Sequence, residues 1–146
     1  MKLVLAGRLA WKYQSFTESL KSYKYRDDVL LTGYAEEKEL AKIIAAAYAL
    51  VYPSLHEGFG VPVLEAMRGE VPVITSANSS MQEIAKEAAL YADPNSHTDI
   101  ANKMMLLYKD ENRRKELIQQ GKEVAQQYNW DKTADLLWQS ILKAIR

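Results

Sequence analysis

Short apolar runs alternate along this chain with longer stretches in which apolar positions recur every three to four residues. That pattern predicts successive strand–helix units on a parallel sheet. The runs at 3–6, 29–32, 49–52, 73–75 and 90–91 read as strands. Between the second and third, residues 36–48 put Leu40, Ile43, Ile44 and Ala47 on one helical face. Residues 62–68 read as a short helix with Pro62 at its first position, where no amide partner is needed, and Gly69 as the left-handed residue that closes it. Ser80 with Glu83, and Ser96 with Asp99, have capping-box spacing. After Asp93-Pro94 the chain turns wholly helical, with Asp110 and Asp131 as N-caps of helices over 111–128 and 132–145.

The segment 53–65, Pro-Ser-Leu-His-Glu-Gly-Phe-Gly-Val-Pro-Val-Leu-Glu, carries most of the chemistry. Pro53 ends the preceding strand's ladder by removing a donor, so Glu57 falls in a loop. Gly58 and Gly60 permit positive φ and close backbone approach. Glu65 falls in the first turn of the following helix or just past it. Free amides near Val63 and Leu64 at a helix N-terminus favour a phosphate. Two carboxylates beside that phosphate would repel a bare diphosphate, and they suit hydroxyls attached to it. The ligand outline is a phosphate flanked by polyols, which is that of a nucleotide sugar.

With those residues in view, the chain resembles the carboxyl-terminal half of the family-four retaining glycosyltransferases of the two-domain GT-B architecture. The resemblance spans Leu3-Val-Leu-Ala-Gly7, Leu31-Thr-Gly33-Tyr34, the 53–67 block, Val71-Pro-Val-Ile-Thr-Ser76 with Ser80 and Glu83, the stretch 88–94, Gly121 and Trp130. It implies a Rossmann-like, doubly wound parallel sheet with additional carboxyl-terminal helices, whose ligands sit at the carboxyl ends of the strands. By resemblance, Glu57 contacts the donor sugar beside the anomeric carbon, as an electrostatic stabiliser of positive charge rather than a nucleophile, and the amides of Phe59, Gly60 and Val61 line the same sugar. Glu65 binds the ribose, the Val63 and Leu64 amides meet the distal phosphate, and the Gly33-Tyr34 turn lies near the base. The donor is a UDP- or GDP-linked sugar and the reaction is hexosyl transfer, mannosyl or glucosyl, to an acceptor hydroxyl, with no cofactor.

Residues 1–146 are therefore expected to form one nucleotide-sugar-binding domain lacking the family's first βα unit, with its diphosphate-neutralising Arg and Lys, and the amino-terminal acceptor domain. The isolated chain is expected to be inactive. Arg8 suggests that cationic site, but its neighbours align it with the following strand. A second departure is Arg68-Gly69-Glu70, where the family more often carries small residues. Alternative readings are a sugar-nucleotide epimerase, a phosphorylase of GT-B shape, or a noncatalytic nucleotide-sugar sensor. A glycosidase carboxylate pair fails because the phosphate-friendly helix end has no purpose there.

Composition narrows the remaining classes. Lys plus Arg equals Asp plus Glu at 19 each, so no basic field recruits nucleic acid or an anionic membrane. There is no cysteine and only two separated histidines, which leaves no thiolate or zinc constellation, and no metal site is expected. No apolar run is long enough for a bilayer and Met1-Lys2 opens directly into a strand, so a cytoplasmic location is expected, with peripheral membrane association only through the missing domain.

His56 is expected on the surface, with sugar contact as the alternative, and His97 is structural. Trp11 and Lys12 are expected to pack the loop, with a position bordering the nucleotide as the alternative. Trp130 and Trp138 are expected to be packing residues, and the Asn78-Ser79-Ser80 sequon a chance match. Ala134, Leu136, Leu137, Trp138, Ile141, Leu142 and Ile145 make the last helix apolar on more than one face, which predicts self-association or fraying there.

Overall fold

A computed structural model describes residues 1–9 and 13–145. Trp11 and Lys12 lie outside the described residues. The chain forms two compact units, 1–43 and 44–146. Among the described residues no helix is long and apolar enough to cross a membrane, and no cluster of three metal-ligating side chains occurs.

In the first unit, β1 (Leu3–Ala6) pairs in parallel with β2 (Val29–Gly33), with Leu3 opposite Val29 and Leu5 opposite Leu31. The crossover contains α1 (Tyr13–Ser22), a helix absent from the sequence-based expectation, and a short 3-10 turn at Arg26–Asp28. The register shifts after Leu5 so that Ala6 faces Gly33, and the Gly7 amide then donates to the Gly33 carbonyl at 2.9 Å. Gly33 takes φ 68, a value that its lack of a Cβ makes inexpensive. None of the described residues of this unit is fully buried, and Leu3, Val4, Leu30 and Leu31 stay two-fifths or more exposed. Helix α2 (Glu37–Ala45) follows, shorter at both ends than its apolar pattern.

The second unit holds the core. Strands β3 (Leu50–Tyr52), β4 (Val73–Thr75) and β5 (Ala89–Tyr91) form a parallel sheet in that order. Leu50 pairs with Val73, and Val73 with Ala89. The central strand β4 is buried throughout, which explains its unbroken apolar-to-threonine run. Ile74, Leu90, Ala92, Leu107 and Leu117 form a contiguous cluster, with Ala49, Val51 and Ile100 against it. Around the sheet lie α3 (Val61–Arg68), α4 (Ser80–Ala85), α5 (His97–Lys109) and α6 (Glu111–Ala125). Helices α3 and α6 approach closely because Gly121 has no side chain; a Cβ there would stand 3.1 Å from Met67 Cγ.

Several local expectations are corrected. Pro62 is the second residue of α3, whose N-cap is Gly60 at φ 100. Gly69 keeps φ −77, and Glu70 is the left-handed residue at φ 59. The Glu70 amide donates to Met67 (3.2 Å) and the Val71 amide to Ala66 (2.9 Å), the bonding of a Schellman end displaced by one residue. Ser80 caps nothing and donates to the Glu57 carbonyl instead. At α5 the Ser96 hydroxyl does accept the Asp99 amide, but the Asp99 carboxylate reaches the Asp93 amide rather than that of Ser96. Helix α6 stops at Ala125, and α7 (Trp130–Ala144) is capped by Asn129, whose Oδ1 accepts the Lys132 amide at 2.8 Å; Asp131 already lies inside it. No residue of α7 is buried, and Trp130 and Trp138 are 80% and 61% exposed rather than packed.

The two glycines of the loop before α3 make different demands. Gly60 needs its positive φ, and a Cβ there would collide with the Met81 methyl, whereas Gly58 has open space around it. Gly60→Ala should lower stability by roughly 1–2 kcal/mol from the left-handed backbone alone, and Gly58→Ala should lie within experimental error of wild type. Urea denaturation of both variants checks the difference.

Candidate functional site

The site grows from the carboxyl end of β3. Beyond Tyr52 the chain leaves the sheet at Pro53, and side chains from the β4–α4 segment take over its backbone groups. Thr75 Oγ1 donates to the Tyr52 carbonyl at 2.8 Å, and the buried Ser76 hydroxyl to the Ser54 carbonyl at 2.5 Å. Asn78 Nδ2 donates to the Leu55 carbonyl at 2.6 Å, while its Oδ1 lies 2.6 Å from Ser76 Oγ. The Glu57 amide donates to Ser79 Oγ, and Ser80 Oγ donates to the Glu57 carbonyl, both at 3.1 Å. Ser79 holds φ 49, ψ −138 to do this. Strain of that kind persists where surrounding contacts over-determine it. The sequon asparagine thus spends its amide inside the loop.

Glu57 is half-buried and accepts a hydrogen bond from the Tyr52 hydroxyl at 2.6 Å. That bond, with one from Ser54 and the nearby His56, holds its carboxyl below the usual range against a smaller opposing effect of burial. The partner responds in the opposite sense: burial, then the bond and charge of Glu57, push the Tyr52 phenol up to about 12. Glu57 is therefore a fixed, ionised carboxylate at neutral pH. Glu65, on the exposed side of α3, has a carboxylate without a protein partner among the described residues. One carboxylate is aimed by the protein and the other is available.

Between them, Phe59 and Val61 are about half exposed, and Gly60 is buried. The Val63 and Leu64 side chains are buried, so only their backbone can face a ligand. The Val63 amide, expected to be free, already donates to the Gly60 carbonyl at 3.0 Å, a tight first turn forced by the Gly60 conformation. His56 is exposed.

Gly33 and Tyr34 belong to the first unit, where Tyr34 is 64% exposed and the Arg8 guanidinium sits 4.7 Å from its ring centroid. A cleft of about 360 Å³, lined by Leu5, Gly7, Arg8, Phe16, Leu31 and Gly33 among others, opens at the carboxyl ends of β1 and β2. Sequence reasoning missed Tyr52, Thr75, Ser76 and Ser79 as site residues. Alternation marks Tyr52 only as strand, and hydroxyls in a loop carry no spacing that reveals their acceptors.

The chain is similar in sequence and fold to known proteins. The sequence profile of the glycosyl transferases group 1 family matches residues 1–124. Over 129 residues the chain is 33% identical to O-antigen chain mannosyltransferase B of Escherichia coli, covering 88% of this chain and 34% of that protein. Sucrose-phosphate synthase from Thermosynechococcus elongatus superposes with TM-score 0.85 at 26% identity, covering 98% of this chain and 39% of that one. Anabaena HepE, solved in complex with UDP-glucose, superposes with TM-score 0.81 at 18% identity, over 98% and 41%. The α/β arrangement is that of the GT-B glycosyltransferases, and the chain belongs to the glycosyl transferases group 1 family. It spans about a third of the length of the E. coli relative.

Tyr52→Phe should raise the Glu57 pKa, read from its carboxylate carbon shift by NMR. The bond to ionised Glu57 contributes fully above that group's unfolded pKa and is lost as pH falls through its depressed folded value. The variant's stability deficit should accordingly be largest at neutral pH and close in acid.

Proposed function

We propose that this chain is the donor-binding part of a retaining glycosyltransferase that transfers a hexosyl group from a nucleoside diphosphate sugar to an acceptor hydroxyl. The observation that carries the reading is the conjunction of a positioned, ionised Glu57 with a Glu65 that has no partner among the described residues, on either side of one glycine-rich strand-to-helix turn. Glu57 would accept from sugar hydroxyls and stabilise positive charge growing at the anomeric carbon as the bond to phosphate lengthens. The Phe59, Gly60 and Val61 backbone would line that sugar, and Glu65 would bind the ribose diol. Phosphate at the α3 N-terminus would use the backbone of Val63 and Leu64, sharing the Val63 amide with Gly60. The base would lie by Gly33 and Tyr34. The name of the E. coli relative supports a mannosyl donor, and the Anabaena complex supports a UDP-linked one. The chemistry requires no cofactor, and the cytoplasm is where such donors would be met.

The acceptor-binding domain and a further cationic βα unit would come from the rest of a longer protein. Two apolar surfaces support this: the incompletely covered strands β1 and β2, and α7, where Leu136, Leu137 and Trp138, with Ile145 just past its end, are each more than half exposed. Left uncovered, α7 would promote self-association at high concentration. Leu137→Glu should reduce it without unfolding the chain, as sedimentation velocity would read; a clean wild-type monomer would remove this support.

The carboxylates separate by ligand. Glu65→Ala should weaken UDP or GDP itself by very roughly 1–3 kcal/mol through a lost charge-assisted bond. Glu57→Ala should leave the bare nucleotide nearly unchanged and weaken only the sugar nucleotide. Calorimetry with UDP, GDP, UDP-glucose and GDP-mannose decides, and equal losses of bare nucleotide for both variants would contradict the assignment.

A further inference from the structure

The loop between Glu57 and α3 is anchored at its start by Ser79 and Ser80, but Gly58 and Phe59 beyond that anchor are exposed. What meets Phe59 comes from far along the chain. Its ring contacts that of Tyr128 at 6.1 Å between centroids and 81° between planes, the edge-to-face arrangement that aromatic quadrupoles favour. Tyr128 lies in the connection from α6 to α7 and is half-buried. Its carbonyl accepts a 2.6 Å bond from the guanidinium of Arg68, the last residue of α3. One residue therefore touches the loop before α3 with its ring and the end of α3 with its backbone. Glu70, just past that end, pairs with Lys122 of α6 at 3.0 Å. Arg68 and Glu70 both tie the carboxyl end of α3 to the α6 end from which Tyr128 projects. The Tyr128 hydroxyl has no partner among the described residues, so the contact uses the ring alone.

We propose that Tyr128, held by Arg68, is a positioning residue that fixes the Gly58–Phe59–Gly60 backbone in the conformation that receives the donor sugar. The sugar half of this statement rests on the donor-binding reading above; the loop half does not. A loop with two glycines loses much backbone entropy when ordered, and a neighbouring ring that pre-orders it lowers that cost on binding.

The test uses the full 146-residue chain and two readouts. In Tyr128→Ala, ¹⁵N order parameters at residues 58–60 should fall from a rigid value of about 0.85 toward about 0.6, while those of 73–75 in β4 stay unchanged. Affinity for UDP-glucose or GDP-mannose should fall about three- to tenfold, with UDP and GDP unaffected. Tyr128→Phe should restore both, and Arg68→Met should move both in the direction of the alanine variant. Tyr128→Leu replaces Tyr128→Ala if the latter does not fold. Unchanged order parameters at 58–60, an equal fall in β4, or a phenylalanine variant behaving like alanine overturns the positioning role. A wild type that binds none of the four nucleotides overturns the donor reading and the sugar half of the proposal, while the relaxation data decide the loop half.

Discussion

The suspension of residues 52–57 from the β4–α4 segment is the constraint on which the rest of the site depends. A chain that leaves a parallel sheet loses its ladder, and its amides and carbonyls must find other partners or water. Here Thr75, Ser76, Asn78, Ser79 and Ser80 supply them in sequence order, so that the loop is read off the neighbouring strand nearly residue by residue. Because Thr75 and Ser76 are fully buried, removing a hydroxyl there leaves an acceptor stranded in a low-dielectric setting, where the loss is larger than the gain from forming one such bond at a surface. The Glu57 backbone is pinned on both its amide and carbonyl sides before its carboxylate meets anything.

That arrangement explains why two glutamates of one turn differ in kind. Glu57 has fixed backbone and a 2.6 Å phenolic donor, so its charge and direction are set by the protein. Glu65 sits one turn into a helix whose buried face is formed by Val63, Leu64, Ala66 and Met67, and no side chain among the described residues bonds to it. A carboxylate aimed at a developing cation gains from being preorganised, because no reorganisation is then needed as charge appears. One that binds a ground-state diol gains from being free to meet it. The loop before α3 supplies the first and the helix itself the second, with the Gly60 turn joining them.

Much of this was legible in the sequence because periodicity and glycine–proline chemistry act locally. The strands at 3–6 and 73–75 fall where the pattern puts them, and the 53–65 block gives the strand–loop–helix order around both glutamates. Helix α1, ten residues with none buried, was not among the predicted elements although Tyr13, Phe16 and Leu20 recur at helical spacing, because so short an apolar pattern does not separate a helix from a polar loop. The displaced Schellman end at Glu70 was hidden because glycine is the default left-handed residue, and Gly69 stood one position too early. Tyr52 and Tyr128 were invisible for a different reason: each acts on a partner through tertiary geometry, and neither spacing nor residue type names that partner.

The uneven burial follows from the same separation of local and tertiary information. Helix α7 satisfies every local rule, with an asparagine cap and a strongly amphipathic sequence, yet buries nothing. Strands β1 and β2 likewise have apolar sequences, a correct parallel register and exposed side chains. Propensity and capping decide that such elements exist, whereas burial requires a surface to lie against. In unit 44–146 that surface is provided by the sheet and by the α3–α6 contact across Gly121, and the loop before α3 is built directly upon it. The segment from Glu57 to Gly60, which needs a left-handed glycine and five side-chain anchors at and before Glu57, is therefore attached to the buried part of the chain, and burial of the Thr75 and Ser76 anchors helps hold the Glu57 carboxylate in one direction.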